Sequence, residues 1–140
     1  MAVYVAWNEC YTVEDPSLDA EHRQIIDHIN RLYWPMQGTT PGLAAERLLE
    51  SLIRCTRAHF DHEEERLKEI AFVDLTAHKA LHDDMLRRSI DLRARLTSLS
   101  ACELLGFLKD WWLSHIQRED KKYVIYLERV RVWDGNLLRR

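Results

Sequence analysis

Five of the seven histidines in this 140-residue chain, His22, His59, His78, His82 and His115, fall in strongly helical stretches. Two carboxylates, Glu63 and Asp120, follow His59 and His115 by four and five residues. His59 with Glu63, and His78 with His82, are i,i+4 pairs, so each pair projects from one face of its helix. Four helical segments therefore offer nitrogen or oxygen donors that a bundle can turn inward. Imidazole and carboxylate suit a transition metal of intermediate softness, and the absence of nearby thiolate argues against an iron–sulfur cluster or structural zinc. A carboxylate can bridge two metals through its two oxygens, whereas an imidazole serves one metal. Five imidazoles and two bridging carboxylates thus divide as three nitrogens on one metal and two on the other. With a solvent oxygen shared between the metals, the two-histidine metal stays one ligand short of octahedral, and an open position is what a small ligand needs.

One spacing is awkward. Five residues rotate a regular helix by about 500°, which leaves Asp120 about 140° from His115. A kink, a π-bulge or a helix end is therefore expected between Ile116 and Asp120.

The elements that must position these groups are helices. Residues 1–16 are aromatic-rich and irregular, closed by Pro16. Periodic Ile25, Ile26, Ile29, Leu32 and Tyr33 predict a first helix over 17–36, broken by Pro35 and the turn-forming residues after it. Thr40 as N-cap and Pro41 at the first helical position open a second helix, 41–70, with Leu48, Leu49, Leu52, Ile53 and Cys55 towards the core. Asp74 caps a third, 75–99, and Ser100 with Glu103 forms a capping-box pattern that opens a fourth, 101–118. The expected fold is all-α: an up-down-up-down four-helix bundle over one domain, 1–140, with an irregular N-terminal arm and a short C-terminal segment packed over the bundle end.

Hydrophobic content of 46% with 31% charged residues is ordinary for a globular chain, and a net charge of −3 gives no reason to expect nucleic acid or an anionic membrane surface. No apolar run approaches the roughly 20 residues that cross a bilayer, and the N-terminus lacks the basic and apolar regions of a secretory signal. Cys10, Cys55 and Cys102 are odd in number and widely spaced, which suits reduced thiols in the cytoplasm. No separate apolar stripe stands out for oligomerisation, so a monomer is expected.

At this point a family resemblance is plain. The run from His59 through Phe60 to Glu63 and Glu64 resembles the hemerythrin HFxxEE signature. His78 with His82 is similar to the family's HxxxH segment, and His115 with Asp120 to its HxxxxD segment. Leu18, Asp19 and His22 resemble its first-helix motif. The likeness spans essentially the whole chain, in the style of the small single-domain bacterial hemerythrins. It implies two iron ions in an oxo- or hydroxo-bridged, non-haem di-iron centre. By that resemblance His78, His82 and His115 hold the saturated iron, His22 and His59 hold the open iron, and Glu63 and Asp120 bridge. The implied function is reversible dioxygen binding, as hydroperoxide on the two-histidine iron, for carriage, storage or delivery and without enzymatic turnover. By position Ile25, Phe60 and Trp111 line the oxygen pocket. The chain departs from the family where Trp112 stands in place of a pocket leucine, so Trp112 either crowds the open site or swings out in favour of Leu113.

Each histidine alone would more often be a satisfied core residue; the joint register makes the set. His28 and His62 lie outside that register as surface or supporting residues, and beyond Glu63 itself the run to Glu65 reads as a solvated face. Most tryptophans read as packing residues. Among rivals, the His82-Asp83 dipeptide fits a metal phosphohydrolase poorly, and the ExxH pairs of ferritin-like oxidases do not occur. A di-iron enzyme acting on peroxide or nitric oxide stays open, as does an oxygen or redox sensor that works through a separate, unidentified protein partner.

Overall fold

The computed structural model describes residues 4–33, 35–36 and 42–130. Trp34, Thr40, Pro41 and Trp133 lie outside them, as does the expected start of the second helix. Four long helices carry the fold: α1 (Pro16–Tyr33), α2 (Leu43–Glu69), α3 (Leu75–Ala94) and α4 (Ala101–Arg118). They form the expected all-α bundle, with α1 packed on α2, α2 on α3 and α1 on α4. A 3-10 turn (Asp120–Tyr123) then leads into a last short helix, α5, residues 124–130.

The helix ends follow local chemistry. Asp15 accepts a hydrogen bond from the Leu18 amide at 3.0 Å, so Pro16 is the first residue of α1 and not the end of the arm; proline suits that place because its missing N–H would go unused there. Within the described residues α2 begins at Leu43, after Gly42. It closes with Ala71 at φ 54°, where the Phe72 amide reaches back to the Leu67 carbonyl at 3.0 Å and the Ala71 amide to that of Lys68 at 3.1 Å. That doubly bonded cap normally prefers glycine, and here it turns Phe72 into the core beside Leu67. Asp74 occupies the N-cap position of α3, but its side chain makes no capping bond. The third helix stops at Ala94, short of the expected Leu99, and residues Leu96–Ser98 form a 3-10 turn. The Ser100–Glu103 capping box is present as read.

Two apolar clusters fill the bundle. The larger includes Ile25, Ile29, Leu49, Leu52, Phe60, Met85, Leu108 and Trp112. The smaller gathers Val13, Leu18, Leu67, Phe72, Tyr123 and Leu127, so the segment after α4 does close the bundle end. Along α1 the order is Leu18, His22, Ile25; along α2 it is Phe60, Glu63, Leu67. A polar layer is thus sandwiched between the two clusters. Among the described residues no helix is long and apolar enough to cross a membrane.

Candidate metal centre

The polar layer contains His22, His59, Glu63, His78, His82, His115 and Asp120, all buried, with His22, Glu63, His82 and Asp120 at 0% exposure. Regular helix supplies the first six. Asp120 arrives differently: α4 ends at Arg118, the Glu119 amide bonds the His115 carbonyl at 2.8 Å, and the 3-10 turn swings Asp120 inward. The expected helix end between Ile116 and Asp120 is therefore present, and it resolves the five-residue spacing.

The donor atoms fall into two sets around the two carboxylates. Glu63 Oε1 lies 2.8 Å from His78 Nε2 and 3.1 Å from His82 Nε2, while Asp120 Oδ1 lies 3.1 Å from His78 Nε2 and 3.0 Å from His115 Nε2. On the other side Glu63 Oε2 lies 3.2 Å from His59 Nε2 and 3.5 Å from His22 Nε2, and Asp120 Oδ2 lies 3.1 Å from His22 Nε2. Glu63 thus presents one oxygen to His78 and His82 and the other to His22 and His59, and Asp120 presents one to His78 and His115 and the other to His22. Two donor groups result, Glu63 with Asp120, His78, His82 and His115, and Glu63 with Asp120, His22 and His59, each within the reach of one ion.

The nitrogens and oxygens are close without being satisfied. The Nε2 atoms of His22, His59, His82 and His115 and both Asp120 oxygens are buried with no aligned hydrogen bond. Buried polar atoms without partners cost about 1–3 kcal/mol each, so a cluster of them marks donors aimed at something other than each other. A metal ion between them answers that geometry, and the all-nitrogen-and-oxygen donor set fits iron.

Without metal, electrostatics favour imidazolium–carboxylate pairing within the cluster. Burial pushes the His22 imidazole towards neutrality, but the close carboxylates of Asp120 and Glu63 outweigh it and hold its pKa up at about 10. His78 is treated likewise, against burial and by the same two carboxylates, to about 9. Burial works against ionised Glu63 and Asp120 too, yet the surrounding imidazoles hold both well below the usual carboxylate range. Metal entry therefore displaces protons.

Around the cluster stand residues that the sequence reading did not assign. Glu21 accepts from His59 Nδ1 at 2.6 Å through one oxygen and from the exposed His62 Nδ1 at 2.6 Å through the other. Glu64 accepts from His82 Nδ1 at 2.8 Å, so it is a supporting residue and not part of a solvated face. A carboxylate can only accept, so both contacts keep the proton on Nδ1 and turn the Nε2 lone pair inward. The Tyr123 hydroxyl donates to Glu63 Oε2 at 3.0 Å. A carboxylate directly beside a ligand in sequence was the one available signal for Glu21 and Glu64. His28 is exposed and bonds the Gln24 carbonyl at 2.8 Å.

The apolar candidates separate. Phe60 lies flat on the His82 ring, with centroids 3.6 Å apart and planes at 5°. Trp112 is buried, 5.3 Å from Phe60, 6.2 Å from His59 and 6.1 Å from His115, so it has not swung out. Ile25 belongs to the same buried cluster. Trp111 does not join them. It is half-buried, against Phe107 at 4.6 Å and under the Arg88 guanidinium at 4.9 Å, on the surface side of α4. Trp112 takes the inner place that was expected of Trp111.

The hemerythrin HHE cation binding domain family matches residues 15–127. The bacteriohemerythrin of Pseudomonas aeruginosa (strain PAO1) is 29% identical over 86% of this chain and 80% of its own length. The myohemerythrin of Sipunculus nudus is 31% identical over 84% of this chain and 88% of its own. A solved wild-type hemerythrin superposes with a TM-score of 0.78 at 25% identity, covering 89% of this chain and 98% of that one. With its matching residues running from the start of α1 into α5, the chain belongs to the hemerythrin HHE cation binding domain family.

Proposed function

We propose that the chain is a reversible dioxygen-binding protein with two irons. In this reading His78, His82 and His115 hold one iron, His22 and His59 hold the other, and Glu63 and Asp120 bridge them. The observation that carries the reading is the division of each carboxylate's two oxygens between a three-imidazole set and a two-imidazole set. The bound irons would supply the electrons and the open coordination position that dioxygen requires.

The chain's own residues do the rest. Glu21 and Glu64 orient His59 and His82, and Tyr123 holds one oxygen of Glu63. Phe60, Trp112 and Ile25 form an apolar wall on the interior side, which excludes water and protons and so favours release of dioxygen over irreversible oxidation. Kinship with bacteriohemerythrins and myohemerythrins supports the same reading. Carriage, storage or delivery follows from reversibility.

The test is the visible spectrum of the reduced protein as air is admitted and then removed. A charge-transfer band that appears and disappears over repeated cycles is the expected result. Immediate conversion to a stable oxidised spectrum would overturn reversible binding in favour of a sensor or a redox enzyme. A colourless protein with full metal content would overturn the iron assignment.

A further inference from the structure

We infer that a groove between α3 and α4 binds a small aromatic carboxylate, and that the ligand supplies His115 with the outer hydrogen bond that no described residue supplies. The groove has a volume of about 230 Å³ and reaches from the surface to His115. Leu81, Met85 and Trp111 give it apolar walls, and Ser114, His115 and Arg118 give it polar ones.

Each of the three offers a donor with no partner among the described residues. His115 turns Nε2 towards Asp120, and Nδ1 makes no hydrogen bond with any described residue. Nor is Nδ1 among the buried unpartnered atoms, as Nε2 is, so it faces accessible space. This sets His115 apart from His59 and His82, whose Nδ1 atoms are held by Glu21 and Glu64. Among the described residues the Ser114 hydroxyl and the Arg118 guanidinium likewise have no hydrogen-bond or ion-pair partner.

The groove's own acids do not fill the gap. Asp84 is engaged by Arg87 and by Arg88 at 3.2 Å, and Glu119 by Lys122 at 2.9 Å. Three unpaired donors beside apolar walls match a carboxylate that carries a flat apolar body. Arg can receive such a group through two parallel bonds, and the ring has Trp111 and Met85 to lie against. In that position the ligand's carboxylate does at His115 what Glu21 and Glu64 do at their histidines.

Titration calorimetry of the iron-loaded protein with benzoate tests the site. Saturable binding at about 1 mM or tighter is expected, with Arg118→Gln weakening it by at least about tenfold. Arg95→Gln, whose side chain pairs with Asp91 at the end of α3, leaves it unchanged. Benzyl alcohol, with the ring and no charge, binds more weakly than benzoate. Saturating benzoate also slows metal release to a chelator in the parent protein and not in Arg118→Gln. Affinity unaffected by Arg118→Gln would place benzoate elsewhere, for instance on the metal, and overturn the inference. Binding without slower metal release would overturn the link to His115.

Discussion

The two sides of the metal centre share both carboxylates and differ in donor count and in access from the surface. On the three-histidine side His78 and His82 come from one helix and His115 from the next, and a surface groove approaches His115. On the two-histidine side His22 and His59 come from α1 and α2 and Glu21 grips His59 from outside, while Phe60, flat on His82, and Trp112, near both His59 and His115, stand against both sides. One side has five protein donors within reach of an ion; the other has four. In the proposed reading an outside ligand would bind on the side with four protein donors. In that reading ligand count would set the opening and packing would protect it.

The largest effect should come from removing what the two sides share. Glu63→Ala deletes an oxygen from each donor set at once, and iron content should fall from two per chain to below one by elemental analysis. Two retained irons would end the bridging assignment.

Single-histidine deletions should then separate the sides. His59→Ala leaves three protein donors on its side and should lose that iron, giving one per chain. His82→Ala leaves four donors, as many as the intact two-histidine side, and should keep both irons with a faster release to chelator. Equal losses in the two variants would erase the proposed asymmetry.

The supporting carboxylates come next. Glu21→Ala and Glu64→Ala should each weaken metal binding by about 10–100-fold, because the imidazole loses the partner that fixes its tautomer and orientation. Glu21→Ala should act on the two-histidine iron and Glu64→Ala on the other, read from biphasic chelator kinetics.

Trp112→Leu exchanges the interior wall for a smaller one. Loss of buried ring should cost about 1–3 kcal/mol in chemical denaturation of the metal-free protein, less than full truncation to alanine. Dioxygen should also enter and leave faster, measured by stopped flow. An unchanged rate would mean that the indole does not stand on the ligand's path.

How much of this was legible in the sequence depends on the range of the interaction. The donors were readable because His59 with Glu63 and His78 with His82 stand at helical spacing, and because a five-residue step to Asp120 demands a helix end. The supporting shell was not readable. Glu21 and Glu64 look like any acids on a solvated helix, and only the packing of α1 on α2 and α2 on α3 brings them to His59 and His82. Trp111 and Trp112 show a finer limit. They precede His115 by four and three residues, so both share its side of the helix, and the choice between them depends on the approach of α2. The end of α3 differs from the periodicity for a similar reason: Leu96 stays buried although the helix has already given way to a 3-10 turn.

Tyr123 offers the smallest and most discriminating change. Its hydroxyl donates to Glu63 Oε2, the oxygen on the two-histidine side, while its ring packs edge-on against Phe72 at 6.2 Å. Burial, and then the neighbouring charges of Glu63 and Asp120, hold its pKa well above the ordinary phenol value, so it stays a neutral donor at any working pH. Tyr123→Phe keeps the ring and deletes one hydrogen bond, which should cost about 1 kcal/mol of stability. Glu63 keeps its imidazole neighbours in this variant, so two irons per chain should remain. If the two-histidine iron were lost instead, the phenol would be setting the position of the bridge, and that side would depend on the turn after α4 as much as on α1 and α2.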